Sequence, residues 1–175
     1  MLRIAAQRRP AFNLAKTLVQ ISVFWGVFLL ALPRQLQGLE QGLALPAFHF
    51  PGQVPLASIL FVALSALGLW SGVTIAWLGS GTPLPLDTAR ELVVRGPYAH
   101  VRNPMAVAGL GQGLVAGLGM GSVAVLLYVL AGTLLWQSLI RPREEQDLLH
   151  RFGPAYARYR QAVRCWVPRL RPYGG

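Results

Sequence analysis

Two adjacent carboxylates, Glu144 and Glu145, stand just past a long apolar run in a chain with only 6 acidic residues against 16 basic ones. An anionic leaflet would repel them there, so they need a cationic partner. Arg141 and Arg143 can supply one, and the positive end of a helix starting nearby favours both carboxylates. The alternative that bears on function is that at least one of them holds a cationic ligand group, such as an α-amino group, in a pocket shielded from water. If an acceptor amine has to lose a proton, His100 and Glu145 are the candidate general bases. His49, His100 and His150 are isolated from one another, and neither they nor Cys165, the only cysteine, show a metal-ligand spacing.

The second polar stretch, residues 81–113, reads GTPLPLDTARELVVRGPYAHVRNPMAVAGLGQG. Its Pro and Gly content predicts an irregular start, and it becomes apolar only after Asn103-Pro104. Pro104 suits a first helical turn because it lacks an N–H that would be unsatisfied there, which makes Asn103 the N-cap. Residues 141–169, RPREEQDLLHRFGPAYARYRQAVRCWVPR, repeat Leu148, Leu149, Phe152, Tyr156, Tyr159 and Val163 at helical spacing, with Arg151, Arg158, Arg160 and Arg164 on the polar side. Gly153-Pro154 predicts an interruption. A basic amphipathic helix of this kind lies at an anionic membrane surface, each arginine contributing roughly 1 kcal/mol.

The elements that must position these segments are apolar. Of 175 residues 54% are hydrophobic and 13% charged, with a mean hydropathy of +0.46. The net charge of +10 would point to nucleic acid in a polar chain, but here the charges avoid long apolar blocks. Disorder and a disulfide scaffold are excluded by the apolar composition and the lone cysteine. Four runs of spanning length are predicted, at about 14–32 (ending at Pro33-Arg34), 55–78, 104–118 and 122–140. Gly119, Gly121 and Ser122 turn the last two into a tight hairpin. The expectation is a single all-α integral membrane domain over 1–175, with about four transmembrane helices and a C-terminal amphipathic helix.

Positive charge orients the set. Arg3, Arg8, Arg9 and Lys16 lie at the first span, Arg90, Arg95 and Arg102 between the second and third, and eight arginines from Arg141 onward; Arg34 alone falls on the other side. Both termini are therefore expected in the cytoplasm, with Leu36 to Val54 as an outer loop. The first run is too long for a cleaved signal and no A-x-A site follows it.

The string LV-x(2)-GPY-x(3)-R-N-P-M (Leu92 to Met105), two helices, EE-x(2)-L (Glu144 to Leu148), FG-x(2)-Y-x(2)-Y (Phe152 to Tyr159) and a closing WVPR (Trp166 to Arg169) resembles the isoprenylcysteine carboxyl methyltransferase and phospholipid methyltransferase family of integral membrane enzymes. The resemblance covers about 79–169. It implies an S-adenosylmethionine-dependent methyltransferase whose cofactor pocket faces the cytoplasm and whose lipophilic or lipid substrate enters from the bilayer. It also implies backbone contacts to adenine from Leu92 and Val93, with Arg90 beside them and Tyr98 close to the cofactor. Asn103, Pro104, Met105 and Ala106 occupy the cofactor-binding R-H-P-x-Y stretch, Glu144 is the acidic cofactor ligand, and Arg141 is near a substrate-contacting position. Gly109, Gly111 and Gly113 allow close backbone approach, either to the cofactor or between helices.

Two residues depart from that pattern. Asn103 stands where histidine is common and cannot carry its charge, and Ala106 stands where tyrosine is common. Arginine outnumbers lysine 15 to 1, as in a GC-rich bacterial genome, which places the chain in a bacterial inner membrane and argues against a prenylated-protein substrate. A headgroup amine, a quinone-like or isoprenoid acid, an alcohol and a thiol all stay open as acceptor. Two other readings stand beside this one: an NADPH-dependent, sterol-reductase-like oxidoreductase, which the Glu144-Glu145 pair disfavours, and a non-catalytic membrane protein that keeps the pocket for binding or assembly.

Overall fold

A computed structural model describes residues 10–79 and 89–174. Arg3, Arg8, Arg9 and the GTPLPLDT string fall outside the described residues. Among those described, every regular element is helical: α1 (Pro10–Phe24), α2 (Leu32–Gly42), α3 (Gln53–Leu78), α4 (Pro104–Met120), α5 (Val123–Leu135) and α6 (Arg141–Ala162). Three helical stretches, Leu14–Gly42, Gln53–Leu78 and Val123–Ala162, are long and apolar enough to cross a membrane. The apolar α4 has 17 residues and so extends roughly 26 Å, a little less than the hydrocarbon thickness.

The bundle is apolar outside and close-packed inside. Val19, Ile59, Val62 and Leu134 are all at least 60% exposed, whereas Ser71 and Gln112 are completely buried. Lipid is as apolar as leucine, so helices here gain from close approach and internal hydrogen bonds rather than from hiding apolar surface. A Cβ added at Gly111 would stand 3.1 Å from the Leu64 side chain, and one at Gly113 would stand 2.9 Å from Val129. These two glycines therefore serve helix packing, α4 against α3 and α5. Gln112 Nε2 donates to Ser65 Oγ at 2.8 Å and ties α4 to α3.

The first helical rod does not end at Pro33-Arg34, as the sequence predicts. It runs on to Gly42, which reduces the connection to α3 to residues 43–52. The reason lies in the π-helical turn Trp25–Ala31, where the Leu32 N–H reaches back five residues to the Val27 carbonyl. A proline ring clashes with the carbonyl four residues before it, and a widened turn at that carbonyl removes the clash. The same device recurs before Pro142: Trp136–Ile140 is π-helical, with the Arg141 N–H on the Trp136 carbonyl. Hence α5 and α6 form one rod, and the carboxylates of α6 are set directly by the helix that precedes them.

At one end of the bundle the α4–α5 turn is clamped by side chains. Gly121 closes α4 at φ 64°, and a Cβ there would run into the Phe48 carbonyl oxygen, so only glycine fits. Ser122 caps α5, accepting from Val125 N at 3.1 Å. Glu40, 5% exposed, accepts from the Ser122 hydroxyl, from Val123 N at 3.0 Å and from Ala124 N at 3.2 Å. Gln53 Nε2 donates to the Leu118 carbonyl at 2.6 Å, so orphan groups at both helix ends find partners.

At the other end, the chain after α6 folds back over the Gly96–Ala99 turn. Arg102 N donates to Arg164 O (3.0 Å), Arg169 N to His100 O (2.9 Å) and Tyr173 N to Ala99 O (2.9 Å). Beneath this strap Tyr156, Tyr159 and Val163 form a buried cluster against Leu92, Val94, Leu148 and Phe152. The predicted break at Gly153-Pro154 is a kink: Gly153 adopts φ 51°, ψ −129°, and helical geometry resumes after it.

Candidate active site

The first turn of α4 begins the site. Asn103 Oδ1 accepts from Ala106 N at 3.1 Å, the expected N-cap, while its Nδ2 donates to Glu144 Oε2 at 3.1 Å. One amide thus starts a helix and fixes a carboxylate on α6.

Glu144 faces a cavity of about 120 Å³ bounded by α6, the start of α4, residues 89–93 and the strap. A single water needs only about 10–15 Å³ of such space, so the volume exceeds that of a packing fault. Glu144 keeps the accessible surface of a half-buried residue although protein surrounds it, because its free edge faces the cavity rather than bulk water. Burial, with Glu145 and Asp147 nearby, pushes its carboxyl up to about 7. Near neutral pH it is therefore poised between carboxylic acid and carboxylate, and a cation in the cavity would pull it to the charged form.

Glu145 has a different environment. Its Oε1 receives Arg102 Nη1 at 2.7 Å and Arg141 Nε at 3.0 Å, and its Oε2 has Arg160 Nε at 3.7 Å. A carboxylate held by guanidinium on both oxygens is an anchor that ties the start of α4 to α6. Asp147 is likewise paired with Arg151 at 3.2 Å, and Arg151 donates to the Ala89 carbonyl, tying α6 to the 89–93 segment.

Of the residues singled out from the sequence, Leu92, Val93, Tyr98, Asn103, Met105, Arg141, Glu144 and Glu145 all line this cavity. The structure does not bring Arg90, Pro104, Ala106 or His100 to its wall. Arg90 is exposed, its N–H on the Gly79 carbonyl at 2.7 Å, and Pro104 and Ala106 belong to the first turn of α4. His100 Nδ1 lies 2.9 Å from the Arg169 carbonyl and so acts as a donor that pins the strap. Burial holds the Tyr98 phenol well above its ordinary range, with Glu144 adding to the effect, and Tyr159 donates to the Tyr98 carbonyl at 2.6 Å. Burial also pushes the Cys165 thiol up, which keeps it protonated and unreactive.

Sequence reasoning missed Arg102, Trp136, Asp147, Arg151 and the Ile75 contribution from α3, all of which line the cavity. Arg102 had a signal, its place next to Asn103 in the R-N-P triplet. Trp136 and Ile75 had none, since both look like ordinary residues of apolar spans.

A second, apolar groove opens on the lipid-facing side between α4 and α5, lined by Val107, Leu110 and Leu114, by Leu126, Leu130 and Thr133, and by Trp166 from the strap. Trp166 stacks edge-on against Trp136, ring centroids 4.9 Å apart, and its Nε1 donates to Gln137 Oε1 at 2.9 Å. Because Trp136 lines the cavity that Glu144 faces and Trp166 the groove, this pair is the partition between them.

No curated protein matches the chain. A family model, that of phospholipid methyltransferase, matches residues 56–155, which is more than half of the sequence and takes in most of α3, the hairpin, Asn103 and both carboxylates. With spanning helices around a cavity built largely on that matched stretch, the chain is a multi-pass integral membrane protein that belongs to the phospholipid methyltransferase family.

Proposed function

We propose that the protein is an S-adenosylmethionine-dependent methyltransferase that methylates a lipophilic acceptor at the cytoplasmic face of a bacterial inner membrane. The reading rests above all on the Asn103–Glu144 pair, a carboxylate with an open edge towards a cavity and no cation of its own on that oxygen pair among the described residues. An α-ammonium group is the complement of such a carboxylate. The donor set fits the cofactor in other respects: Leu92 and Val93 offer apolar wall and backbone to a purine, and Tyr98 stays a neutral phenol beside Glu144.

When bound, S-adenosylmethionine supplies a methyl group on a sulfonium, ready for in-line displacement. The chain's part is alignment and exclusion of water. Glu144 would orient the amino-acid end, Asn103 would hold Glu144, and the strap over Tyr156 and Tyr159 would close the cavity from the aqueous side. The groove between α4 and α5 would take the hydrocarbon chain of the acceptor, since it faces lipid, is apolar, and meets the cavity at Trp136–Trp166. The excess of arginine at the cavity end supports a cytoplasmic orientation.

Ligand-dependent thermal stabilisation of the detergent-purified protein tests this reading, comparing S-adenosylmethionine, S-adenosylhomocysteine and NADPH at matched concentrations. Stabilisation by the two adenosyl ligands alone is the expected result. Stabilisation by NADPH alone would replace the reading with a reductase, and no response to any of the three would leave a non-catalytic relative.

A further inference from the structure

The sequence predicts that α6 lies on an anionic membrane by its apolar stripe, but the fold turns that stripe inward. Tyr156, Tyr159 and Val163 are buried, with Leu148 and Phe152 packed against them. The surface left for lipid is the strap that follows. Its Trp166 reaches the groove between α4 and α5, among residues of apolar helices, and Leu170 comes four residues later, within about 14 Å of that ring by chain length.

Leu170 is 98% exposed, and Val167 is exposed beside it. A lone exposed leucine is ordinary, but the backbone around this one is tied down. Arg169 N donates to the His100 carbonyl at 2.9 Å, and the Arg169 carbonyl accepts from His100 Nδ1 at the same distance. Tyr173 N donates to the Ala99 carbonyl, and Pro168 and Pro172 restrict φ on either side. The tip Leu170-Arg171 is therefore a built projection rather than a loose end.

Its charge has one sign. Six arginines and no acidic residue follow Asp147 in the chain. Arg164 and Arg171, one on each side of Leu170, are exposed and have no side-chain partner among the described residues. An apolar tip flanked by guanidinium groups, on an element that already meets the lipid-facing helices, complements a leaflet of anionic phospholipid. Leucine enters the acyl boundary while arginine takes phosphate.

We infer that residues 164–171 dock on anionic lipid in the leaflet at the cavity end, with Leu170 inserted between head groups, and that this docking holds the strap shut over the cavity. The anchors on His100 and Ala99 that set Leu170 outward exist only while the strap is closed, so lipid that binds the projecting tip favours the closed form. The docking stands without the methyltransferase reading. Its consequence rests on that reading: the cofactor leaves the cavity more slowly in an anionic bilayer.

The test uses the full chain in nanodiscs of phosphatidylcholine alone or of equal parts phosphatidylcholine and phosphatidylglycerol, with hydrogen exchange of the Arg169 and Tyr173 amides as the signal. An arginine near an anionic surface is worth about fivefold, so wild type is expected to exchange at least fivefold more slowly in the anionic discs. Raising salt to about 1 M should shrink the difference, and millimolar inorganic phosphate added to neutral discs should leave exchange unchanged. The difference should vanish when Arg164→Gln is combined with Arg171→Gln, and fall in Leu170→Ser. These side chains are exposed, and thermal unfolding checks that the variants are folded.

Equal exchange in the two kinds of disc, or slowing that persists in both variants, would overturn the docking surface. Slowing by inorganic phosphate alone would make the patch an anion site and overturn the membrane partner. S-adenosylhomocysteine is expected to dissociate at least fivefold more slowly from wild type in anionic discs, and equally fast from the double variant in both. Unchanged dissociation with the strap protected would overturn the closure. Failure of any adenosyl ligand to bind would defeat the proposed function instead, and hydrogen exchange without ligand would still decide the docking.

Discussion

Asn103 and Glu144, 41 positions apart, are joined by a single 3.1 Å hydrogen bond that couples the start of α4 to the first turn of α6. Because the same amide also caps α4, the position of the cavity carboxylate and the start of a membrane helix depend on one side chain.

Replacing Asn103 by Ala removes the cap and the Glu144 partner together. A loss of about 1–2 kcal/mol in stability is expected, read by thermal unfolding in detergent, together with weaker binding of S-adenosylhomocysteine. Asn103→Asp keeps the cap oxygen and sets a negative charge against Glu144. It is expected to unfold no more readily than the alanine variant through the cap, yet to shift Glu144 further towards its protonated form and bind the cofactor less well at neutral pH.

The Glu144 carboxyl, held up at about 7 by burial, gives a pH signature with a definite sign. An ammonium ligand needs the ionised form, so affinity for S-adenosylhomocysteine is expected to rise between pH 6 and pH 8, approaching tenfold per unit below 7 and levelling off above it. The unliganded protein behaves in the opposite sense. A raised carboxyl means the folded state holds its proton more tightly than the unfolded chain, so stability is full below the unfolded value near 4.5 and declines as pH rises through about 7. Glu144→Gln removes that decline, by at most about 3 kcal/mol, and melting curves at pH 5 and pH 8 measure it.

Glu40 offers a test of stability without function. Truncation to Ala leaves the Ser122 hydroxyl and the Val123 and Ala124 N–H groups without their shared acceptor at the α4–α5 turn. A lower melting temperature in detergent is expected. Ligand-induced stabilisation by S-adenosylhomocysteine should be retained in Glu40→Ala, since the clamp is at the end of the bundle opposite the cavity.

Tyr159→Phe deletes the hydroxyl that donates to the Tyr98 carbonyl at 2.6 Å while leaving the ring in its cluster. The expected cost is about 1–2 kcal/mol, with an unpaired carbonyl left under the strap. Faster hydrogen exchange of the Arg169 and Tyr173 amides, both bonded to the 98–102 segment, would report the loosened strap.

What the sequence made legible was local chemistry. The charge-free run at 55–78 could only be a buried or spanning helix, and Asn103-Pro104 announced its own cap because both signals act within one turn. The family pattern then brought Leu92, Tyr98, Asn103 and Glu144 to one place. The continuation past Pro33 was not legible, because a π-helical turn leaves no compositional mark and Pro33-Arg34 reads as a stop. The Glu40 clamp and the Arg102–Glu145 pair were hidden for another reason: the partners are more than 40 positions apart on separate elements, and nothing in periodicity links them, whereas Arg141, one turn from Glu145 on α6, was legible as its partner. His100 shows the limit of residue type as a guide, since an imidazole within a chemical motif turned out to hold a backbone carbonyl.

The most direct measurement of the central claim is equilibrium binding of S-adenosylhomocysteine to detergent-purified wild type and Glu144→Gln at pH 8, with NADPH as the control ligand. The account predicts saturable binding to wild type, affinity at least tenfold weaker in Glu144→Gln with its melting temperature undiminished, and no binding of NADPH. Equal affinity in the two proteins, or binding of NADPH alone, would contradict it.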